Sequence, residues 1–399
     1  MASWLSWRYH YPRSEFPYAR LRQENAQRSR NEREFELVDT GAFDDDRYWQ
    51  IAADYAKAAP DDICIRIIAR NAGADPADLH VLPTLWFRNR WSWEGGIPKP
   101  IIDAAPEGAE AAAVAIAEEE MLGKWRFSAG RSPDGRRPPL LFCENETNVQ
   151  RLYGDVGGQT KYPKDGIGDH VLHGAETVNP EGHGTKMACW YRVNVQAGEA
   201  VEFRLRLARE TTGSGTDLGK GFEQTMADRR READEFYATF RPEGVSDDEA
   251  VVMRQAFAGM HWSQQFYHYD VARWLDGDAI PPPIERKSGR NAGWLHLSNH
   301  DMIAMPDKWE YPWYASWDLA FHCVVLAYTD PETAKHQLLL LEREWFMHPS
   351  GKMPAYEWNF GDVNPPVHAW ATLKVFEIDG GGDFEFLARA FHKLSINFT

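Results

Sequence analysis

Asp318 sits within the most aromatic stretch of the sequence, Lys308-Trp309-Glu310-Tyr311-Pro312-Trp313-Tyr314-Ala315-Ser316-Trp317-Asp318-Leu319-Ala320-Phe321-His322. A carboxyl in apolar surroundings keeps its proton to higher pH, and aromatic faces stack on sugar rings. Those properties suit a group that protonates the oxygen of a glycosidic bond. Trp309, Tyr311, Trp313 and Trp317 would supply the stacking faces. A plainer role is open: an apolar helical pattern starts here, and aspartate is a common N-cap. A helix N-terminus favours the charged carboxylate, whereas packing between Trp313 and Trp317 opposes it.

A second aromatic and polar cluster follows in Gly351-Lys352-Met353-Pro354-Ala355-Tyr356-Glu357-Trp358 and Asn364-Pro365-Pro366-Val367-His368-Ala369-Trp370. Pro365-Pro366 gives a stiff entry to a helix. Glu357, Asn364 and Trp370 would face the same cavity as Asp318 if the helices form a ring; ordinary loop packing is the alternative. A third group, Asn299-His300-Asp301, matches no standard metal spacing, so substrate hydrogen bonding or loop bracing is expected. Asp44-Asp45-Asp46 reads as a solvated turn rather than a cation site. No cofactor motif is present: Gly380-Gly381-Gly382 lies between aspartates and reads as a turn, and there is no G-x-S-x-G elbow.

The elements that must carry these residues fall into two kinds. Residues 1–50 read as aromatic, charged and irregular. From about 50 to 210 the pattern is mostly β, with strands expected at 63–71, 79–89, 140–144, 186–194 and 200–208. Val201, Phe203, Leu205 and Leu207 alternate with Glu202, Arg204 and Arg206, which predicts one apolar and one solvent face. The Ala/Glu-rich 107–121 is expected as a helix or a flexible insertion. After a Gly/Ser/Thr-rich stretch at 211–216 the pattern turns helical. Ser246 with Glu249 forms a capping-box signature, and the helical spacing continues to about Asp270. A long loop is expected over 277–313, then helices over 318–327, 331–346, 366–377 and 384–398. Long loops loaded with Trp, His and Asp between helices are usually functional. The division expected is a β-sandwich at 1–215, a helical linker at 216–245 and a helical domain at 246–399.

Composition narrows the partners. The 399 residues carry a net charge of −16, which disfavours nucleic acid. Arg229-Arg230-Arg231 is interleaved with acids and reads as a solvated helix face. The four cysteines, Cys64, Cys143, Cys189 and Cys323, are far apart in apolar contexts. Buried free thiols in a reducing, cytoplasmic compartment are expected. No segment reaches the ~18 consecutive apolar residues of a membrane span.

In order and content, Trp313-Tyr314-Ala315-Ser316-Trp317-Asp318, Gly351-Lys352-Met353-Pro354 and Asn364-Pro365-Pro366-Val367-His368-Ala369-Trp370 resemble glycoside hydrolase family 63. That family includes processing α-glucosidases, bacterial α-glucosidases and mannosylglycerate hydrolases. Upstream, Glu15-Phe16-Pro17-Tyr18, Asp39 to Tyr48 and Leu82 to Asn89 are similar to its bacterial and fungal cytosol-type branch.

The resemblance implies a β-sandwich followed by an (α/α)6 barrel of the six-hairpin glycosidase type. It implies an inverting mechanism on a carbohydrate substrate, with Asp318 as general acid and Trp313 in a sugar subsite. Glu357, which could be proposed as a base, takes a substrate-binding role instead, alongside Trp358 and Trp370. Asn364 stands where many relatives carry Gln. The family's base lies in later barrel helices, so an incomplete barrel, catalytically incomplete alone, is expected. Apolar faces at Leu338, Leu341 and Trp345 would then be bare and promote self-association. The rival classes are a non-catalytic carbohydrate-binding protein and another toroid glycosidase, trehalase-like or debranching.

Overall fold

Alternating strands joined by tight turns build the first of two units, Met1–Glu235. The computed structural model describes residues 3–92, 96–106, 111–154, 160–210, 216–277, 282–289, 291–305, 307–353, 355 and 364–397. The first unit opens with β1 (Trp4–Pro12), α1 (Tyr18–Gln27), β2 (Tyr48–Ala59), β3 (Asp62–Asn71), β4 (Ala77–Val81) and β5 (Thr84–Trp86). It continues through β6 (Ile101–Ala105), β7 (Ala113–Glu119), β8 (Gly123–Ala129), β9 (Leu140–Cys143), α2 (Val149–Tyr153) and α3 (Gly166–His173). Then come β10 (His183–Gly184), β11 (Lys186–Cys189), β12 (Tyr191–Val195), β13 (Ala200–Arg209) and α4 (Lys220–Ala238).

An antiparallel sheet runs β1-β2-β3-β13-β8-β7-β6-β10. Opposite it lie β5-β11-β9 and the pair β12-β4. One core joins the layers: Trp49, Phe127, Phe203 and Leu205 from the large sheet meet Leu79, Phe142, Met187 and Tyr191 from the smaller ones. Tyr191 lies 4.6 Å from Phe203 and donates its hydroxyl to the Gly130 carbonyl at 2.9 Å. This is a two-layer β-sandwich.

Three local expectations need correction. The N-terminal fifty residues are not irregular, because Trp4–Pro12 pairs along its whole length with β2. The alanine-rich stretch is a strand where it is described, since β7 sits between β6 and β8 and ladder pairing outweighs alanine's helix preference. Arg206 is not on a solvent face. Its Nε and Nη2 donate to the Asp62 carboxylate, both at 2.8 Å, and the pair is buried. The cover comes from Leu218, Phe222 and Met226, which pack on Ala56, Cys64 and Val114.

The second unit is Phe236–Thr399. It contains α5 (Asp247–Trp262), β14 (Gln264–Asp270), α6 (Val271–Asp276), β15 (Ser298–Ala304), α7 (Ser316–Leu326), α8 (Pro331–Leu341), α9 (Val367–Ile378) and α10 (Phe384–Asn397). Ser246 and Glu249 form the reciprocal capping box at the start of α5. The helix stops at Trp262, short of Asp270: the aromatic-rich Gln264–Asp270 pairs as a strand with β15, which lies in the stretch expected to be a loop. Gln337 ties β15 to α8, accepting from Ala304 N at 3.0 Å and donating to Met302 O at 2.7 Å.

The core of this unit joins Trp294, Ile303, Tyr314, Leu319, Leu338 and Phe346 with many smaller side chains. Leu338 and Leu341 are therefore fully buried, not bare, while Trp345 is 38% exposed. Helix α7 packs on α8 and α9, and α10 packs on α9 and α8. The Gly380–Gly382 turn is held by Lys335, whose ammonium is 2.9 Å from both Asp379 and Asp383. Burial works against that charge, but the surrounding carboxylates hold the lysine above its ordinary range.

All four cysteines are buried free thiols. Burial pushes Cys64 up to about 11 and Cys143 up to about 12. Among the described residues, no helix is long and apolar enough to cross a membrane, and no group of three or more His, Cys, Asp or Glu could hold a metal.

Candidate functional site

The approach to Asp318 is a turn built by Asp307. Its carboxylate accepts from the amides of Trp309 at 2.6 Å and Glu310 at 2.8 Å, and these bonds hold its pKa below the usual range. Lys308 lies 4.7 Å over the Trp262 ring. Trp309 is 85% exposed, and Tyr311 meets Trp313 edge to face at 5.4 Å. Tyr314 is fully buried and meets Phe346 edge to face at 5.3 Å, anchoring the chain just before α7.

Helix α7 has Ala315 as its N-cap, with no side-chain cap. Asp318 is thus the third helical residue rather than the cap. Its carboxyl is half-buried, and desolvation pushes its pKa up, partly offset by its own backbone amide. A helix N-terminus favours the anion, so the two influences oppose each other at Asp318.

His322 stands one helical turn further on, at the i,i+4 spacing that shares a helix face. Burial pushes its pKa down. Both groups are biased to their neutral forms. Sequence reading passed over His322, although its spacing from Asp318 was the available signal.

Two of the sequence clusters meet through Phe321, which lies in the first aromatic stretch but was not among the expected site residues. Phe321 lies 6.2 Å from Trp317 and 5.6 Å from Trp370 of α9, ring centre to ring centre. All three rings are partly open to solvent, at 37%, 44% and 44% exposure. Trp317 and Trp370 therefore share one aromatic surface beside the turn that bears Asp318. The side-chain amide of Asn364 donates to the Met353 carbonyl, which braces the entry to α9. Glu357 and Trp358 lie outside the described residues.

Other carboxylates of the second unit have local partners. Asp270 and Asp330 cap α6 and α8, and Asp301 accepts from Trp345 Nε1 at 3.3 Å. Glu342 and His368 are both buried, with Oε1 and Nε2 3.3 Å apart, and burial raises the Glu342 pKa while His368 opposes the rise. Asn299 and His300 belong to a strand rather than a loop, with His300 packed edge to face on His268 at 4.9 Å. Among the described residues, neither polar atom of the buried Asn299 side chain has a hydrogen-bond partner.

No known protein-family model matches the chain. The uncharacterized protein YMR196W of Saccharomyces cerevisiae is 37% identical over 441 residues, covering 100% of this chain and 40% of the yeast protein. The chain thus spans about two-fifths of the length of that curated relative. Among solved structures, a galactose mutarotase related enzyme from Lactobacillus acidophilus has a TM-score of 0.23 at 8% identity, over 43% of this chain and 64% of that one. A polysaccharide lyase has a TM-score of 0.24 at 10% identity, over 87% of this chain and 55% of that one. Likenesses at such scores assign neither fold nor activity.

Proposed function

We propose that the chain carries the acid half of an inverting, α-glucosidase-like glycoside hydrolase site acting on an oligosaccharide or glucoside. The observation that carries this reading is Asp318: a half-buried carboxyl raised in pKa by desolvation, on the first turn of α7, the helix that also bears the partly exposed rings of Trp317 and Phe321, the latter in contact with Trp370. A carboxyl that keeps its proton can donate it to a leaving oxygen. The aromatic surface offers stacking faces to the sugar, and neutral His322 adds no charge that would draw off the proton. In this reading the second unit is the first part of an (α/α)6 barrel. Inverting chemistry needs a second carboxyl about 6.5–9.5 Å away. That base is assigned to no described residue.

A binding role without catalysis is the second reading. It is favoured by the local partners of Asp270, Asp301, Asp330 and Glu342, which leave those carboxylates engaged elsewhere. Incubation of a longer protein that contains this chain with a panel of α-linked glucosides, followed by anomer-resolved NMR, separates the two. The glycosidase reading expects β-anomer product, lost in Asp318→Asn. Sugar binding with no hydrolysis supports the binding role, and neither binding nor hydrolysis contradicts both.

A further inference from the structure

We propose that a cleft between β3 and α4 of the first unit, edged by Arg66, Arg230 and Arg231, binds a small phosphate ester. The cleft encloses about 350 Å³. Every residue that lines it belongs to the first unit, so it stands apart from Asp318.

One helix face and one sheet face make the cleft. Phe222 and Met226 of α4 pack on Ala56, Cys64 and Val114, which fixes the start of the helix against the large sheet. Arg66 stands two residues after Cys64 and so shares that face of β3. Met226, Arg230 and Asp234 follow one another at i,i+4 spacing, as do Glu223, Ala227 and Arg231. Both rows lie on one side of the helix and line the cleft. Met226 is buried, whereas Arg230, Arg231 and Asp234 are exposed. The wall is therefore apolar at its base and charged at its rim.

The guanidinium of Arg66 is under-used. Across the ladder Arg66 faces Asp54 of β2 and Arg204 of β13. Arg204 holds the Glu223 carboxylate closely, and Asp54 accepts from Ser6 Oγ at 2.7 Å. Arg66 reaches these two carboxylates only at 3.5 Å and 3.6 Å. A close charge-assisted bond is about 2.7–2.9 Å long. Arg66 Nε is buried and, among the described residues, has no hydrogen-bond partner. Such a donor is costly unless an acceptor reaches it. On the helix, the pairs Arg229–Glu232 and Arg231–Glu235 leave Arg230 out.

Charge and size choose the occupant. Arg66, Arg230 and Arg231 line the cleft against Glu223 and Asp234, and Glu223 is already held by Arg204. The balance is positive, in a chain whose net charge is −16. Planar guanidinium forks match phosphate, which offers more acceptor oxygens than a carboxylate does. Asp54, Asp228 and Glu235 beside these arginines would repel an extended polyanion such as nucleic acid. The volume leaves room beyond a phosphate group, and Met226 and Ala227 give the carbon part of an ester an apolar base.

The test is calorimetric titration of a longer protein that contains this chain with glucose 6-phosphate, inorganic phosphate and succinate. The expected result is saturable binding of glucose 6-phosphate, with weaker binding of phosphate and about tenfold weaker binding of succinate. Arg230→Ala should weaken the glucose 6-phosphate affinity about threefold to tenfold. Arg66→Lys keeps the charge but loses the fork, and should weaken it by about the same factor. Asp234→Asn removes a repelling carboxylate and should tighten binding about twofold. Arg192→Ala makes the same charge change at an exposed position of β12, and like Asp318→Asn it should leave the affinity at the wild-type value. Thermal melting checks that the variants fold. Arg230 and Asp234 are exposed, so their variants keep the test open if Arg66→Lys unfolds. The proposal is overturned if glucose 6-phosphate shows no saturable binding, or if Arg230→Ala binds it like wild type. It is also overturned if Arg192→Ala weakens binding as much as Arg230→Ala does, or if succinate binds as tightly as the ester. Failure here leaves the glycosidase reading to its own test, because none of these readouts depends on Asp318.

Discussion

Phe321 of α7 and Trp370 of α9 meet at 5.6 Å between ring centres. With Trp317 on its other side, Phe321 joins two aromatic clusters that lie some fifty residues apart in sequence. The residue that links the expected sugar-stacking rings was itself outside the expected set.

Phe321→Ala should therefore loosen the sugar surface more than the fold. The side chain is partly exposed, and its ring contacts contribute about 0.5–1.5 kcal/mol. The expected outcome is a melting temperature lowered by only a few degrees and a several-fold loss of oligosaccharide affinity. Differential scanning calorimetry and sugar titration on the same sample measure both.

Asp318→Asn should raise stability at neutral pH. Desolvation lifts the folded carboxyl above its ordinary value of 3.8. The folded state then binds the proton more tightly than the unfolded one. Stability is lost as pH rises from the unfolded value through the folded one, and the penalty stays above it. Removing the charge removes the penalty, so the gain should be present at pH 7 and vanish below about pH 3.8. Paired melts across pH check this. A carboxyl that costs stability fits a group kept for function.

His261 and His322 give the opposite slope. Burial pushes both below the ordinary value of 6.5. The unfolded chain takes up protons near that pH while the folded one resists. Stability should fall as pH drops below 6.5 and level off below the folded values. His322→Gln should flatten part of that slope in denaturant titrations.

Glu342 and His368 pair in the interior, at 1% and 5% exposure. Removing one partner leaves the polar atoms of the other buried without it, at a cost of about 1–3 kcal/mol. Glu342→Gln and His368→Ala should each lower the midpoint of urea unfolding sharply, and the double variant should cost less than their sum.

What could be read in advance was what short-range chemistry decides. Ser246 and Glu249 lie three residues apart, so their capping box was visible in the sequence. Cys64 and its fellow thiols were legible as buried from their apolar neighbours. Phe266 to Tyr269 was not, because an aromatic run fits a helix or a strand until β15 supplies the ladder. Ala113 to Ala117 was misread for the same reason: its partners come from β6 and β8. Arg206 looked solvated because Asp62, its partner, is far off in sequence. Around Asp318, the clustering of aromatic side chains was legible. Phe321 was not, since its role depends on α9 lying beside α7.

The central claim is that Asp318 delivers a proton to a leaving oxygen. Fluoride leaves a sugar without protonation, so α-glucosyl fluoride separates acid catalysis from all other roles. The decisive measurement compares wild type and Asp318→Asn, each within a longer protein that contains this chain, on an aryl or alkyl α-glucoside and on α-glucosyl fluoride. The account predicts a rate loss of about 10²–10⁴ on the glucoside, with the fluoride rate largely kept. Equal losses on both substrates, or no loss on the glucoside, would contradict it.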